Sequence, residues 1–121
     1  MKFYLSGRIT GLTQHEFTMN FRRGAHVVME RYEDAEVINP TEVKVCDDPR
    51  CGGGATLDNG NQLHAYHCYM KHDIKEMLDC DAIVMLPDWD LSSGATFERE
   101  VAIKCGLHVF YITRGYEGLI E

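Results

Sequence analysis

No stretch of this sequence stays apolar for long enough to cross a bilayer. The strongest apolar run, Ala82 to Leu86, stops at Pro87. The opening residues, Met1-Lys2-Phe3-Tyr4-Leu5-Ser6-Gly7-Arg8, lack the apolar core of a signal peptide, so no membrane partner is expected. Cations are in the minority, with 12 Lys and Arg against 19 Asp and Glu and a formal charge of −7. That argues against a nucleic acid polymer as partner, because a phosphate backbone needs clustered basic residues. A small anion held by a few local donors remains compatible. Neither a Walker loop nor a dinucleotide fingerprint is present, so neither ATP nor NAD is indicated. Cysteine is odd in number: Cys46, Cys51, Cys68, Cys80 and Cys105. An unpaired count without a leader favours a reducing, cytoplasmic setting with free thiols.

What is present is the material of one domain. The chain has 121 residues, 45% of them hydrophobic, enough for a single core. Lys2 to Leu5 reads as a strand running into the Ser6-Gly7 turn. Thr13-Gln14-His15-Glu16 fits a capping box, and Phe17, Phe21, Ala25, Val28, Met29 and Tyr32 then recur at helical spacing. A helix from about Gln14 to Tyr32 follows. Glu36-Val37-Ile38-Asn39-Pro40 reads as a second short strand, stopped by Pro40. From about 42 to 67 the pattern lapses into an irregular loop rich in turn signals. Tyr69 to Asp79 is helical again. Ala82 to Leu86 has the continuous apolar character of a strand buried on both faces. A third helix runs from about Ala95 to Cys105 and is closed by Gly106, and Leu107 to Ile112 is a last strand. This alternation predicts an α/β, Rossmann-like, doubly wound parallel sheet of four to five strands with flanking helices. Ligands of such sheets bind at the carboxyl ends of the strands. The polar segments Ser6–Gly11, Asn39–Glu42 and Asp88–Gly94 should therefore converge on one crevice.

Each candidate residue has a structural reading beside the chemical one. Ser6-Gly7-Arg8-Ile9-Thr10-Gly11 could bring backbone N–H groups and a guanidinium to an anion, or could be a tight strand-to-helix turn. Ser92-Ser93-Gly94 opens the third helix, where free N–H groups make an anion site and where serine also serves as an ordinary N-cap. Glu98, one turn further in, is either a carboxylate partly buried beside the crevice or a solvated glutamate paired with Arg99. Asp73 is a site residue or a surface helix residue. Asp88 and Asp90 stand at a strand's carboxyl end and are both candidates. Cys46, Cys51, His64, His67 and Cys68 could supply zinc ligands, and Cys46, Cys51, His67 and Cys68 make the narrower set of four. Their spacing matches no standard finger or ribbon, and the default is free thiols with no metal. His26 reads as a surface residue and His108 as a core or edge residue.

Taken in order, Tyr4-Leu5-Ser6-Gly7, Asn39-Pro40, Asp73-Ile74, Cys80-Asp81-Ala82-Ile83-Val84 and Ser92-Ser93-Gly94-Ala95-Thr96-Phe97-Glu98 resemble the nucleoside 2-deoxyribosyltransferase-like superfamily. The likeness is greatest to a small branch common in phage genomes. The resemblance implies a five-stranded doubly wound sheet, a homodimer or larger assembly, no cofactor, and the cytoplasm of the cell or host as the setting. It implies that Glu98 attacks C1′ of the sugar, that Tyr4 orients it, and that Asp73 acts near the base. Nucleoside-using transferases carry an aspartate two residues before the glycine, whereas the related deoxynucleoside 5′-monophosphate N-glycosidases carry a serine that takes phosphate. Here that residue is Ser92, and Ser6, Gly7, Arg8, Ile9 and Gly11 resemble the glycosidase phosphate loop. The expectation is an enzyme that cleaves or transfers the N-glycosidic bond of a nucleotide. The alternatives are a non-catalytic nucleotide sponge or sensor and a transferase of free nucleosides.

Overall fold

The computed structural model describes residues 1–42, 46–56 and 62–121. Strand β1 (Lys2–Ser6) leads into helix α1 (Gln14–Arg31), then β2 (Glu36–Ile38), α2 (Tyr66–Leu78), β3 (Ala82–Met85), α3 (Ser93–Lys104), β4 (His108–Ile112) and β5 (Leu119–Ile120). The strands lie in the order β2-β1-β3-β4-β5. The first four are parallel, in the register Phe3↔Val37, Phe3↔Ala82 and Ala82↔His108. β5 adds antiparallel to β4, with Ile112 opposite Leu119. The chain therefore winds outward from β1 to β2 on one side and from β3 to β4 on the other, leaving a switch point between β1 and β3.

Alternation along the strands divides the core in two. Phe3, Leu5, Val84 and Phe110 face α1, where Phe21, Val27 and Val28 cover them. Tyr4, Ile83 and Met85 face α2 and α3, against Met77, Ala95 and Ala102. β3 is buried along its whole length because helices cover both faces, which explains its unbroken apolar run. Among the described residues no helix is long and apolar enough to cross a membrane.

The start and stop signals act where the sequence puts them. Thr13 Oγ1 accepts from Glu16 N–H at 3.1 Å and Glu16 Oε1 accepts from Thr13 N–H at 2.8 Å, a complete capping box. Gly106 closes α3 in the left-handed region, at φ +79°. His26 is exposed and pairs with Glu30 at 3.0 Å, and His108 is an exposed residue at the start of β4. Two boundaries differ from expectation. α2 begins at Tyr66 rather than Tyr69, one turn inside the loop assigned to 42–67. The pair Leu119–Ile120 forms an edge strand too short for any periodicity to announce.

Candidate active site

β1 ends at the switch point with two hydroxyls on one face, because residues 4 and 6 are two apart on a strand. α3 crosses that face and aims Glu98 at both. Tyr4 donates its hydroxyl to Glu98 Oε2 at 2.9 Å, and Ser6 donates to Oε1 at 2.6 Å. Glu98 is only 5% exposed, while Tyr4 and Ser6 are fully buried. Burial is costly for a carboxylate and pushes the Glu98 pKa from 4.5 up to about 7. The Ser6 and Tyr4 hydrogen bonds oppose that rise and the charge of Asp73 adds to it. Burial raises the Tyr4 phenol well above its usual value, and the Glu98 and Asp73 charges raise it further, so it remains a donor. Arg99 does not pair with Glu98. Its Nε donates to Tyr111 at 2.7 Å and its guanidinium lies over Trp89.

Asp73 comes from α2, midway along the helix. Its side chain is 15% exposed, so it is not a surface residue. Burial raises its pKa from 3.8 to about 7, with help from the charge of Glu76. His72 Nδ1 is buried without a hydrogen-bond partner and lies 3.5 Å from Asp73 Oδ1, while its Nε2 is 3.8 Å from Glu76. Tyr4, Ser6 and Glu98 thus make one hydrogen-bonded group at the carboxyl end of the sheet, and Glu98 and Tyr4 feel the charge of Asp73. Burial raises the pKa of both carboxyl groups, a pattern that concentrates at functional sites.

The loops around this group have mixed roles. A Cβ on Gly7 would come within 2.9 Å of Leu86 Cβ, so glycine there lets the chain leave β1 against the end of β3. Arg8 folds back over Gly11, which has φ +89°, and its Nε donates to Thr10 O at 3.2 Å. Ile9 is exposed, and its carbonyl accepts from Leu12 N–H at 3.1 Å. Arg8, Leu12, Asn20, Pro87 and Asp88 line a small polar cleft at the ends of β1 and β3. Asp88 sits in the left-handed region at φ 66°, unusual for a residue with a side chain, and pairs with Arg114 at 2.9 Å. Asp90 lies in the short 3-10 turn Trp89–Leu91 that follows. Ser92 is the N-cap of α3, accepting from Ala95 N–H at 3.1 Å. A hydroxyl oxygen that accepts in this way keeps a proton to donate. Gly94 faces Tyr66 and Met70 of α2, so the starts of α2 and α3 touch. The third polar segment turns on Asn39, whose Oδ1 accepts from Thr41 N–H at 3.0 Å.

Two features differ from the sequence expectation. Ser6, expected in the phosphate loop, donates its hydroxyl to Glu98. The i, i+2 placement of Tyr4 and Ser6 on a strand is the sequence signal for it. In the cysteine cluster, His67 is an exposed residue of α2, and the histidine that joins Cys46, Cys51 and Cys68 is His64.

The fold and its site define a Rossmann-like α/β protein with a buried carboxylate at the sheet's switch point. The chain belongs to the DUF4406 family, a domain of unknown function, whose model matches residues 1–111. No curated protein and no solved structure matches the chain.

Proposed function

We propose that the protein cleaves or transfers the N-glycosidic bond of a (deoxy)nucleoside 5′-monophosphate through a covalent sugar–Glu98 ester. The reading rests chiefly on one observation: the buried Glu98 carboxylate at the sheet's switch point accepts hydrogen bonds from both Tyr4 and Ser6, with the partly buried Asp73 as a second carboxyl group whose pKa burial raises. The likeness to the nucleoside 2-deoxyribosyltransferase-like superfamily supplies the substrate class.

Of two carboxyl groups with raised pKa values, the one held by donors ionises more readily. Tyr4 and Ser6 favour the anion on Glu98, which leaves Asp73 as the acid. That is the protonation state the reaction needs. A Glu98 oxygen attacks C1′ and the C1′–N bond breaks, its electron pair leaving with the base, which takes the Asp73 proton. The transition state has oxocarbenium character, which the Glu98 anion stabilises. Water then attacks C1′, gives its proton to Asp73 and frees Glu98. A second base in place of water gives transfer. The Ser92 hydroxyl, the N–H groups at the start of α3 and the Arg8 cation are suited to a 5′-phosphate.

One observation favours a second reading, a nucleotide sponge or sensor. Both Glu98 oxygens already accept a hydrogen bond, so the residue also serves as a tie between α3 and β1. Incubation with a panel of nucleosides and 5′-monophosphates, followed by chromatography, separates the readings. The glycosidase releases free base from monophosphates, and Glu98→Gln abolishes the release while leaving binding within a few-fold. Tight binding without base release supports the sponge. Release from nucleosides alone supports the transferase of free nucleosides.

A further inference from the structure

We propose that Cys46, Cys51, His64 and Cys68 form a zinc site that fastens the chain around Cys46, Cys51 and His64 to the start of α2. The inference is independent of the glycosidase reading. One sulfur from each cysteine and one ring nitrogen of His64 all lie within 4.8 Å of one another, and none of the four residues is fully exposed. Cys46 Sγ is 3.1 Å from His64 Nδ1. Zinc takes such ligands at about 2.3 Å from sulfur and about 2.0 Å from nitrogen, which sets the ligand atoms of a tetrahedron roughly 3.5–3.8 Å apart. The cluster is already gathered to nearly that size. Three soft thiolates and an imidazole select zinc over calcium or magnesium, which take oxygen. Four protein ligands leave no open position, which marks a structural site.

The segment's construction points the same way. Among the described residues from 46 to 68, none is fully buried, so this part of the chain has no apolar core of its own. Short segments without a core depend on other cross-links. Yet its backbone is closely organised around the four ligands. Gly52 has φ +67°, and a Cβ there would fall 2.1 Å from Leu63 O, so the turn after Cys51 is pressed onto the residues that lead to His64. Gln62 Nε2 donates to Asp48 O at 2.7 Å and to Cys51 O at 3.1 Å. Ala65 N–H donates to Cys51 Sγ at 3.3 Å, the kind of outer bond that holds a thiolate ligand in place. Ala65, the N-cap of α2, offers no side-chain cap, and Cys68 lies in the helix's first turn. Thiolates there meet the positive end of the helix.

Binding is an acid–base step without redox change. Each thiol that ligates gives up its proton as a Zn–S bond forms, and neutral His64 donates a lone pair. Zinc with three thiolates carries one net negative charge. Because Tyr66 and Met70 face Gly94, the metal would fix the end of α2 that lies against the start of α3.

The wild-type protein, purified without chelator, should carry close to one zinc per chain by plasma mass spectrometry. Replacing zinc with cobalt should give the visible bands of a tetrahedral ion and thiolate-to-cobalt charge transfer. Cys51→Ser and His64→Ala should weaken zinc binding more than ~100-fold, beyond the loss typical of outer-shell changes, while His67→Ala and Cys105→Ser leave it unchanged. Should the ligand variants fail to fold, thiol labelling of the wild type decides. Cys46, Cys51 and Cys68 should react far more slowly than exposed Cys105 until a chelator is added. The proposal is overturned if zinc stays substoichiometric after incubation with excess metal. Octahedral cobalt bands, metal loss on His67→Ala but not on His64→Ala, or chelator-independent labelling of all three thiols would each overturn it as well.

Discussion

Replacing Glu98 with glutamine should stabilise the protein at alkaline pH and leave it unchanged under acid. Glu98 is buried, and its pKa rises from 4.5 to about 7 on folding. A carboxyl group whose pKa is raised in the folded state holds its proton there after the unfolded chain has lost it. Stability contributed by this group is therefore fully present below pH 4.5, falls as pH rises to about 7, and stays low above that. At ~1.4 kcal/mol per pH unit, the whole interval costs on the order of 3 kcal/mol. Glutamine is neutral throughout. Its amide oxygen can accept from one hydroxyl of Tyr4 or Ser6, and its NH2 can donate to the other. Urea or thermal unfolding of both proteins at pH 5 and pH 8 makes the comparison. The wild type should lose stability between the two pH values relative to the variant, which should end on the order of 2–3 kcal/mol ahead at pH 8, a midpoint gain of roughly 10 °C for a chain of this size. A variant equally destabilised at both pH values would mean that the anion is well solvated or firmly paired, and the argument from burial would fail. Keeping so costly a group is the expected signature of a site selected for chemistry over stability.

Tyr4→Phe removes one of the two donors to Glu98 and should lower stability by about 1–2 kcal/mol at pH 8 but by less at pH 5, where the carboxyl is protonated; an NMR titration of the Glu98 carboxyl should show its pKa rising further. Ser92→Asp should cut the ratio of kcat/KM for a 5′-monophosphate over its nucleoside by something on the order of 2–4 kcal/mol, since the new charge would face phosphate; an unchanged ratio means that residue 92 does not meet the 5′ end. Gly24→Ala should destabilise by about 1–3 kcal/mol in denaturant melts, because its Cβ would fall 2.3 Å from Leu86 Cδ2 where α1 meets the end of β3. The chain should run as a homodimer or larger assembly in light scattering at micromolar concentration, and a monomer there would count against the proposed family likeness.

How far the sequence carries the fold follows from how each element is stabilised. α1 is legible because its capping box and apolar stripe are local, and β3 because burial on both faces forces an unbroken apolar run. β5 is not legible, since two residues have no period and its pairing with β4 is a tertiary matter. The first turn of α2 is hidden for a related reason. Tyr66, His67 and Cys68 show neither a capping side chain nor an apolar face, and the turn is organised by contacts with residues far back in the loop. The site divides in the same way. Glu98, four residues after Gly94, and Tyr4, within β1, are picked out by the family resemblance and not by a local pattern. That Ser6 completes the grip on Glu98 depends on the crossing of α3 over β1, which no local pattern encodes. His64 over His67 is a choice between two histidines three residues apart, made by the turn at Gly52 and not by spacing.

The central claim is that Glu98 becomes covalently attached to a nucleotide's sugar. It is tested most directly by reacting the protein with a 2′-fluorinated deoxynucleoside 5′-monophosphate, whose ester is slow to hydrolyse, and quenching in acid for mass spectrometry of the intact chain and its peptides. A mass gain of one fluorinated sugar phosphate is expected, carried by the peptide containing Glu98 and absent from Glu98→Gln. Base release with no adduct on Glu98, or an adduct that persists in Glu98→Gln, would contradict it.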